Sequence, residues 1–326
     1  MNQLTIKKST LTKFLQLIFS VGYGFCVAAY LNNHYILDSG DVTSLVRNAD
    51  EMVNLNRILT WHGSVVSILT NGDAIFHIAL LVLKNLLNQS SLTILGVYAF
   101  IISSTTFFIY SINIKQRKYL FFILLLFLMV FFTPRVINLF ASGLRSGIAF
   151  TILIIAFMYL KGTKQYLLFA LSTLIHLSMA PMIVFFVLFN IVEKKRVKLS
   201  FTVTLFMLLL CSFCISIATP QLNLTNSPMN QSMLYMFLVA FLALLITFTN
   251  KKVVRNVYGF ISIGLIFVVL LGYIIDFSFI RYVGNAIIFY LLFLIKEGSP
   301  RTLHIFTIGY APFFLVTLYY SIANYF

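Results

Sequence analysis

The stretch "NLFASGLRSGIAFTILIIAFMYLKGTK", residues 138–164, decides the fold class. From 144 to 160 it reads as a membrane-spanning helix, yet a permanent cation, Arg145, stands at its start and two lysines, Lys161 and Lys164, close it. An arginine in hydrocarbon costs several kcal/mol unless it is hydrated, paired or engaged with an anion. The stretch therefore predicts a helix with two different ends: a basic turn at 161–164 and an arginine that asks for an anionic partner.

The rest of the chain repeats the apolar theme. It has 326 residues, 60% of them hydrophobic and 10% charged, with a mean hydropathy of +0.98, which excludes an ordinary soluble globular domain. Apolar runs of about 20 residues, the length that crosses a hydrocarbon core of roughly 30 Å, recur from end to end. The expected architecture is all-α: a polytopic integral membrane helical bundle forming a single domain over 1–326. The basic start up to Lys13 and the apolar run to Tyr30 mimic a signal peptide, but the length of the run and the spans that follow predict an uncleaved first helix.

The net charge of +15 would suggest nucleic acid in a soluble protein. Its placement excludes that partner and points to the lipid bilayer. Seventeen of the 23 cations fall in short clusters between apolar runs: Lys7, Lys8 and Lys13; Lys115, Arg117 and Lys118; Lys161 and Lys164; Lys194, Lys195, Arg196 and Lys198; Lys251, Lys252 and Arg255; Lys296 and Arg301. Such clusters mark cytoplasmic loops. The other six cations are Arg47, Arg57, Lys84, Arg135, Arg145 and Arg281, and six of the eight acids share their segments. Cys26, Cys211 and Cys214 lie within apolar runs, where a thiolate metal site or redox pair lacks the charged neighbours it needs, so they are expected to be small core filler.

With the amino terminus cytoplasmic, the clusters set a topology of about nine full spans, near 12–31, 92–113, 119–132, 144–160, 199–218, 231–249, 256–275, 279–295 and 302–325. The segment 32–91 is an outer-face loop. Its "AIFHIALLVLKNLL" is short for a crossing and predicts an interfacial or re-entrant helix near 74–88. Residues 165–192 pose a parity problem, because both flanks are basic. A break at "IHLSMAP" resolves it: two half-length helices enter and leave on one side, with Pro181 early in the second.

This topology gathers Arg135, Arg145 and Arg281, with Asn138, His176, Asp276 and Tyr282, on the outer face, within a core motif region spanning 133–182 and the late turn at 276–282. The planar guanidinium fork matches phosphate or carboxylate oxygens, so several arginines on one membrane face ask for a polyanion. A lipid pyrophosphate meets that demand, and the helix start beside Arg145 adds N–H donors. Simpler roles compete. Arg135 could snorkel to headgroup phosphates, Arg281 could pair with Asp276, Gly143 and Gly147 could serve close helix packing, and His176 could be a kink residue. His34, His62, His77 and His304 show no metal-ligand spacing, so no metal site is expected. Phosphate-cradling glycine loops, G-x-S-x-G and H-E-x-x-H are absent from the sequence.

The residues 138–188, "NLFASGLRSGIAFTILIIAFMYLKGTKQYLLFALSTLIHLSMAPMIVFFVL", resemble the core of the EpsG family of Wzy-like bacterial polysaccharide polymerases. The likeness rests on Arg145 opening a helix with Gly147 and Ala149 after it, on the turn with Lys161 and Lys164, and on a break at His176 and Ser178. Asp41 in the first outer loop and Arg281 with Tyr282 in a late turn extend it. The family usually has glutamine after the arginine, where this chain has Ser146. The resemblance implies a glycosyltransferase of the bacterial inner (plasma) membrane with its active site on the outer face. It would join undecaprenyl-pyrophosphate-linked oligosaccharide repeat units into O-antigen, capsule or exopolysaccharide, without a cofactor. Partners would be the flippase and chain-length regulator of the same pathway. It would assign Arg145, His176 and Arg281 to catalysis and Arg135, Asn138, Asp41, Asp276 and Tyr282 to the substrate. An O-antigen ligase, a flippase and a membrane O-acyltransferase are the alternatives. The late outer turns are short for a ligase, the arginines gather on one face rather than along a path as in a flippase, and an acyltransferase leaves them unexplained.

Overall fold

The computed structural model describes residues 8–36, 40–51, 73–114, 120–194, 200–221, 233–274 and 281–325. Every regular element among them is helical. The helices are α1 (Lys8–Ile36), α2 (Gly40–Glu51), α3 (Asp73–Leu87), α4 (Ser91–Ile112), α5 (Leu120–Phe131), α6 (Pro134–Phe140), α7 (Leu144–Tyr159), α8 (Thr163–Ile175), α9 (Ala180–Lys194), α10 (Phe201–Gln221), α11 (Met233–Thr249), α12 (Val257–Ile274), α13 (Arg281–Glu297) and α14 (Pro300–Tyr325).

Helices stand at all nine places where the sequence predicts spans, and five are long and apolar enough to cross a bilayer alone: Thr12–Ile36, Ser91–Ile112, Phe201–Ala218, Val257–Ile274 and Pro300–Tyr319. The pair formed by α5 and α6, bent by 63°, makes a sixth if it counts as one broken span. The 16 residues of α7 rise about 24 Å, short of the roughly 30 Å core. The helix expected near 74–88 is α3, and the break in 165–192 falls where "IHLSMAP" predicts it. There α8 ends at Ile175, Leu177–Met179 form a 3₁₀ turn, and Pro181 lies in the first turn of α9, where its missing N–H costs nothing.

Three elements exceed the sequence expectation. Helix α1 runs on to Ile36, through residues assigned to the outer loop. Helix α2 occupies part of that loop, and α6 fills the segment after Pro134. Both short helices carry a buried stripe, Val46 and Ala49 in α2 and Val136 and Phe140 in α6. Their amphipathic spacing is the signal that a search for long apolar runs passes over.

The chain divides into two compact units, one of 1–113 with 137–179, the other of 114–136 with 180–326. In the first, α1 and α4 run antiparallel: Gln16 donates to the Ser111 carbonyl at 2.8 Å, and Tyr23 stacks on Phe107. Gly24 makes this approach possible, since a Cβ there would collide with the Ser104 hydroxyl and the Phe100 carbonyl. Helices α4 and α7 run parallel, joined by Thr106 and Thr151 at 2.9 Å. Helix α8 folds back antiparallel on α7 through a turn at Gly162, whose φ of +64° and ψ of −143° suit only glycine.

In the second unit α13 is buried on nearly all sides and packs on α12 and α5. Serine hydroxyls stitch its helices through main-chain carbonyls: Ser262 to Ala286, Ser212 to Gly264 and Ser216 to Val268. The last two make α10 and α12 parallel. Helices α5 and α14 are also parallel, by Phe122 with His304 and Thr133 with Tyr310. Helix α9 is antiparallel to α12, by Phe189 with Phe260 and Phe185 against Gly264. Within each unit these directions match the alternation that the basic clusters require.

Candidate functional site

The α7/α8 hairpin sets the geometry around Arg145. The Gln165 side chain donates to the Ala156 carbonyl at 3.1 Å, and seven residues further along each helix the Ser172 hydroxyl donates to the Ala149 carbonyl at 2.8 Å. Extending this register by four residues brings His176 to the level of Arg145. Positions 145, 149 and 156 share one face of α7, and 165, 169 and 172 share the buried face of α8. Arg145 and His176 therefore close the same end of one helix pair, both half-buried.

Each is held by backbone. His176 is the C-cap of α8, with extended backbone; its N–H donates to the Ser172 carbonyl at 3.0 Å and its carbonyl accepts from Met179 N–H at 3.1 Å. Arg145 stands in the first turn of α7, whose main-chain N–H groups have no intrahelical acceptor and make that end favourable for an anion. Just before it, the Gly143 N–H donates to the Asn138 carbonyl at 2.7 Å. A Cβ on Gly147 would lie 2.5 Å from the Leu139 carbonyl oxygen and 3.0 Å from the Ile102 methyl. The G-x-x-x-G spacing is thus a packing device that seats the start of α7 against the α6–α7 turn, and it holds Arg145 in place. Gly147→Ala is expected to lower stability by about 1–3 kcal/mol, because a backbone carbonyl cannot yield as a side chain does. Thermal unfolding in detergent measures it; an unchanged midpoint would show that the turn gives way freely.

The opposite partner of Asn138 is a residue the sequence did not single out. Tyr30, near the end of α1, donates to the Asn138 side-chain oxygen at 2.9 Å and packs at a tilt against the buried His34, ring centres 4.0 Å apart. The signal was present as two polar rings four residues apart at the end of an apolar run, on one helix face. At the start of α4 a second polar group escaped notice. Asp50 of α2 accepts from Ser91 at 2.5 Å and from Lys84 of α3 at 2.9 Å, clasping both short helices to α4.

Burial raises the Asp50 pKa, but the Ser91 hydrogen bond and the Lys84 ammonium outweigh it and hold it below the ordinary carboxylate value. A depressed carboxylate contributes stability above its unfolded pKa of about 3.9 and loses it as pH falls through the folded value. Amide exchange in α2 is expected to quicken only on strong acidification, and in Asp50→Asn to be fast already at neutral pH. Equal exchange in both proteins at neutral pH would remove the clasp from the account. The effect is small, because Asp50 is 56% exposed.

In the second unit, Arg135 is exposed in the first turn of α6, and its carbonyl lies 3.7 Å from where a Cβ on Gly284 would stand. Arg281 opens α13 one turn before Gly284, followed by the buried Tyr282. Arg135 and Arg281 thus belong to one end of this unit, as Arg145, His176 and Asn138 belong to one end of the other. Asp41 lies in the first turn of α2. Asp276 lies outside the described residues. Compared with known proteins, the chain matches no family model, no curated protein and no solved structure.

Proposed function

We propose that the protein is a polysaccharide polymerase of the Wzy-like kind, joining oligosaccharide repeat units carried on undecaprenyl pyrophosphate at the outer face of a bacterial plasma membrane. The observation that carries this reading is the α7/α8 register, which brings an arginine fork and an imidazole to the same end of one helix pair. An arginine beside a histidine supplies an anion holder and a proton acceptor, the two groups that this transfer needs.

In the proposed reaction the acceptor hydroxyl oxygen bonds to the anomeric carbon of the growing chain. The bond from that carbon to the pyrophosphate oxygen breaks, and its electron pair leaves with the pyrophosphate. His176 takes the hydroxyl proton, with Asp41 and Asp276 as competing bases. Arg145 and Arg281 are assigned to the pyrophosphates of the two carriers: Arg145 stabilises the charge that develops on the leaving one, and Arg281 holds that of the second. Arg135 holds the second lipid carrier at the rim, and Asn138 and Tyr282 contact substrate. Two lipid-linked substrates then correspond to two arginine-bearing helix ends.

The helix directions support the outer placement. If the basic clusters are cytoplasmic, α7 descends to Lys161, α8 rises to His176, and α9, antiparallel to the rising α12, descends again to Lys194. That is the re-entrant arrangement, with His176 at its outer tip. The deciding experiment adds a defined lipid-linked repeat unit to purified protein in nanodiscs. A ladder of products differing by one repeat is expected; single units with no ladder would reject the polymerase. A tag in the 193–198 loop should stay unlabelled from outside, and labelling there would reject the topology.

A further inference from the structure

Helix α13 is the most enclosed element of the second unit, and most of the hydroxyls on buried helix faces around it have hydrogen-bond partners within the protein; Thr307 of α14 does not. The hydroxyls of Ser212, Ser216 and Ser262 reach main-chain carbonyls, Thr247 bonds to Ala243 and Thr133 to Met129 and Tyr310. Asn285 departs from this pattern. It is 3% exposed, and its Oδ1 is buried without any protein partner. On a buried helix face, an unpaired carboxamide oxygen lowers stability, whereas leucine of similar volume would not. Such a group persists where something outside the chain completes its hydrogen bonds.

Its position suggests what. Asn285 follows Arg281 by four residues, so the two share one face of α13 a single turn apart. Its neighbour Gly284 lies against the main chain of Arg135. The carboxamide is thus one turn inside the end of the unit that carries both cations. A buried carbonyl oxygen needs a donor. Pyrophosphate oxygens are acceptors and cannot serve it, whereas sugar hydroxyls can.

We infer that Asn285 is a glycan-reading residue, whose Oδ1 accepts a hydrogen bond from a hydroxyl of the sugar joined to a lipid pyrophosphate that Arg135 and Arg281 hold. This rests on the proposed function. It adds that the second unit distinguishes a glycan-bearing carrier from a bare one.

The test uses the full chain in nanodiscs and two probes: lipid-linked oligosaccharide purified from the source strain with this gene deleted, and undecaprenyl pyrophosphate alone. The thermal midpoint is read for the wild type and Asn285→Leu, with and without each probe. The unliganded variant is expected to be as stable as the wild type or more so. The wild type should be stabilised more by the glycan-bearing carrier than by the bare one, with at least a tenfold difference in affinity, and the variant should respond equally to both. A variant that keeps the preference overturns the inference. If the wild type binds both carriers equally, Asn285 reads nothing while the lipid-pyrophosphate function stands. If it binds neither, the proposed function fails and the inference with it. Should Asn285→Leu not fold, Asn285→Ala, read by the same preference, decides.

Discussion

Arg145→Ala is expected to slow ladder growth from a lipid-linked repeat by about 10²–10³-fold, equivalent to roughly 3–4 kcal/mol of lost transition-state stabilisation, the effect of removing one preorganised donor from a developing oxyanion. Arg145→Lys should recover only part of it, remaining about tenfold slower, because an ammonium keeps the charge but not the planar fork that meets two oxygens at once. Neither change should disturb the fold. The packing of the α7 start depends on Gly147 against Leu139 and on Thr151 with Thr106, which both variants keep. Initial rates with purified protein separate the variants. Full polymer length and rate in Arg145→Lys would rule out bidentate phosphate recognition at this position.

His176→Ala is expected to lower the rate by about 10²-fold or more, in the range typical of losing a positioned general base. The rival role for this histidine is to make the break between α8 and α9. Main-chain and neighbouring atoms hold the break as well: the N–H and carbonyl of residue 176, Ser172 and Met179, and Pro181 in the next turn. Alanine keeps all of these. The unfolding midpoint of His176→Ala should therefore stay near that of the wild type while activity falls. His176→Gln adds a finer distinction, since an amide can position a hydroxyl but cannot take its proton. Recovery of most activity by glutamine would assign positioning rather than proton transfer. A variant that loses stability and activity together would restore the kink.

Much of the fold was legible in the chain, for a physical reason that is easy to state. Hydrophobic length, Pro134, Pro181, Gly162 and the clustered lysines act through contact with lipid, water and the local backbone, all of which depend on near neighbours in sequence. Hence the helix positions and the break at "IHLSMAP" could be read directly. The helices α2 and α6 could not be found by the same signal. They are too short and too polar to pass for spans, and only the burial of Val46, Ala49, Val136 and Phe140 shows what stabilises them.

The candidate site was legible as a set of residues but not as an arrangement. Arg145 and His176 could be named from their cost in hydrocarbon, and Arg135 and Arg281 from their sign. Nothing in their spacing revealed that Arg145 and His176 lie at the same end of one hairpin, that Tyr30 supports Asn138, or that Asp50 clasps α2 and α3 to α4. Nor could Asn285 be distinguished from any other polar residue in an apolar run. By itself the sequence determined where the helices lie and on which turns the charges collect, because transfer between water and lipid is summed residue by residue. The tertiary structure alone decided which helices pair and in what register. Those depend on single close contacts, Gly24 under Ser104, Gly147 under Leu139, Ser172 on Ala149, between residues far apart in the chain. It also decided which polar groups find a partner within the protein.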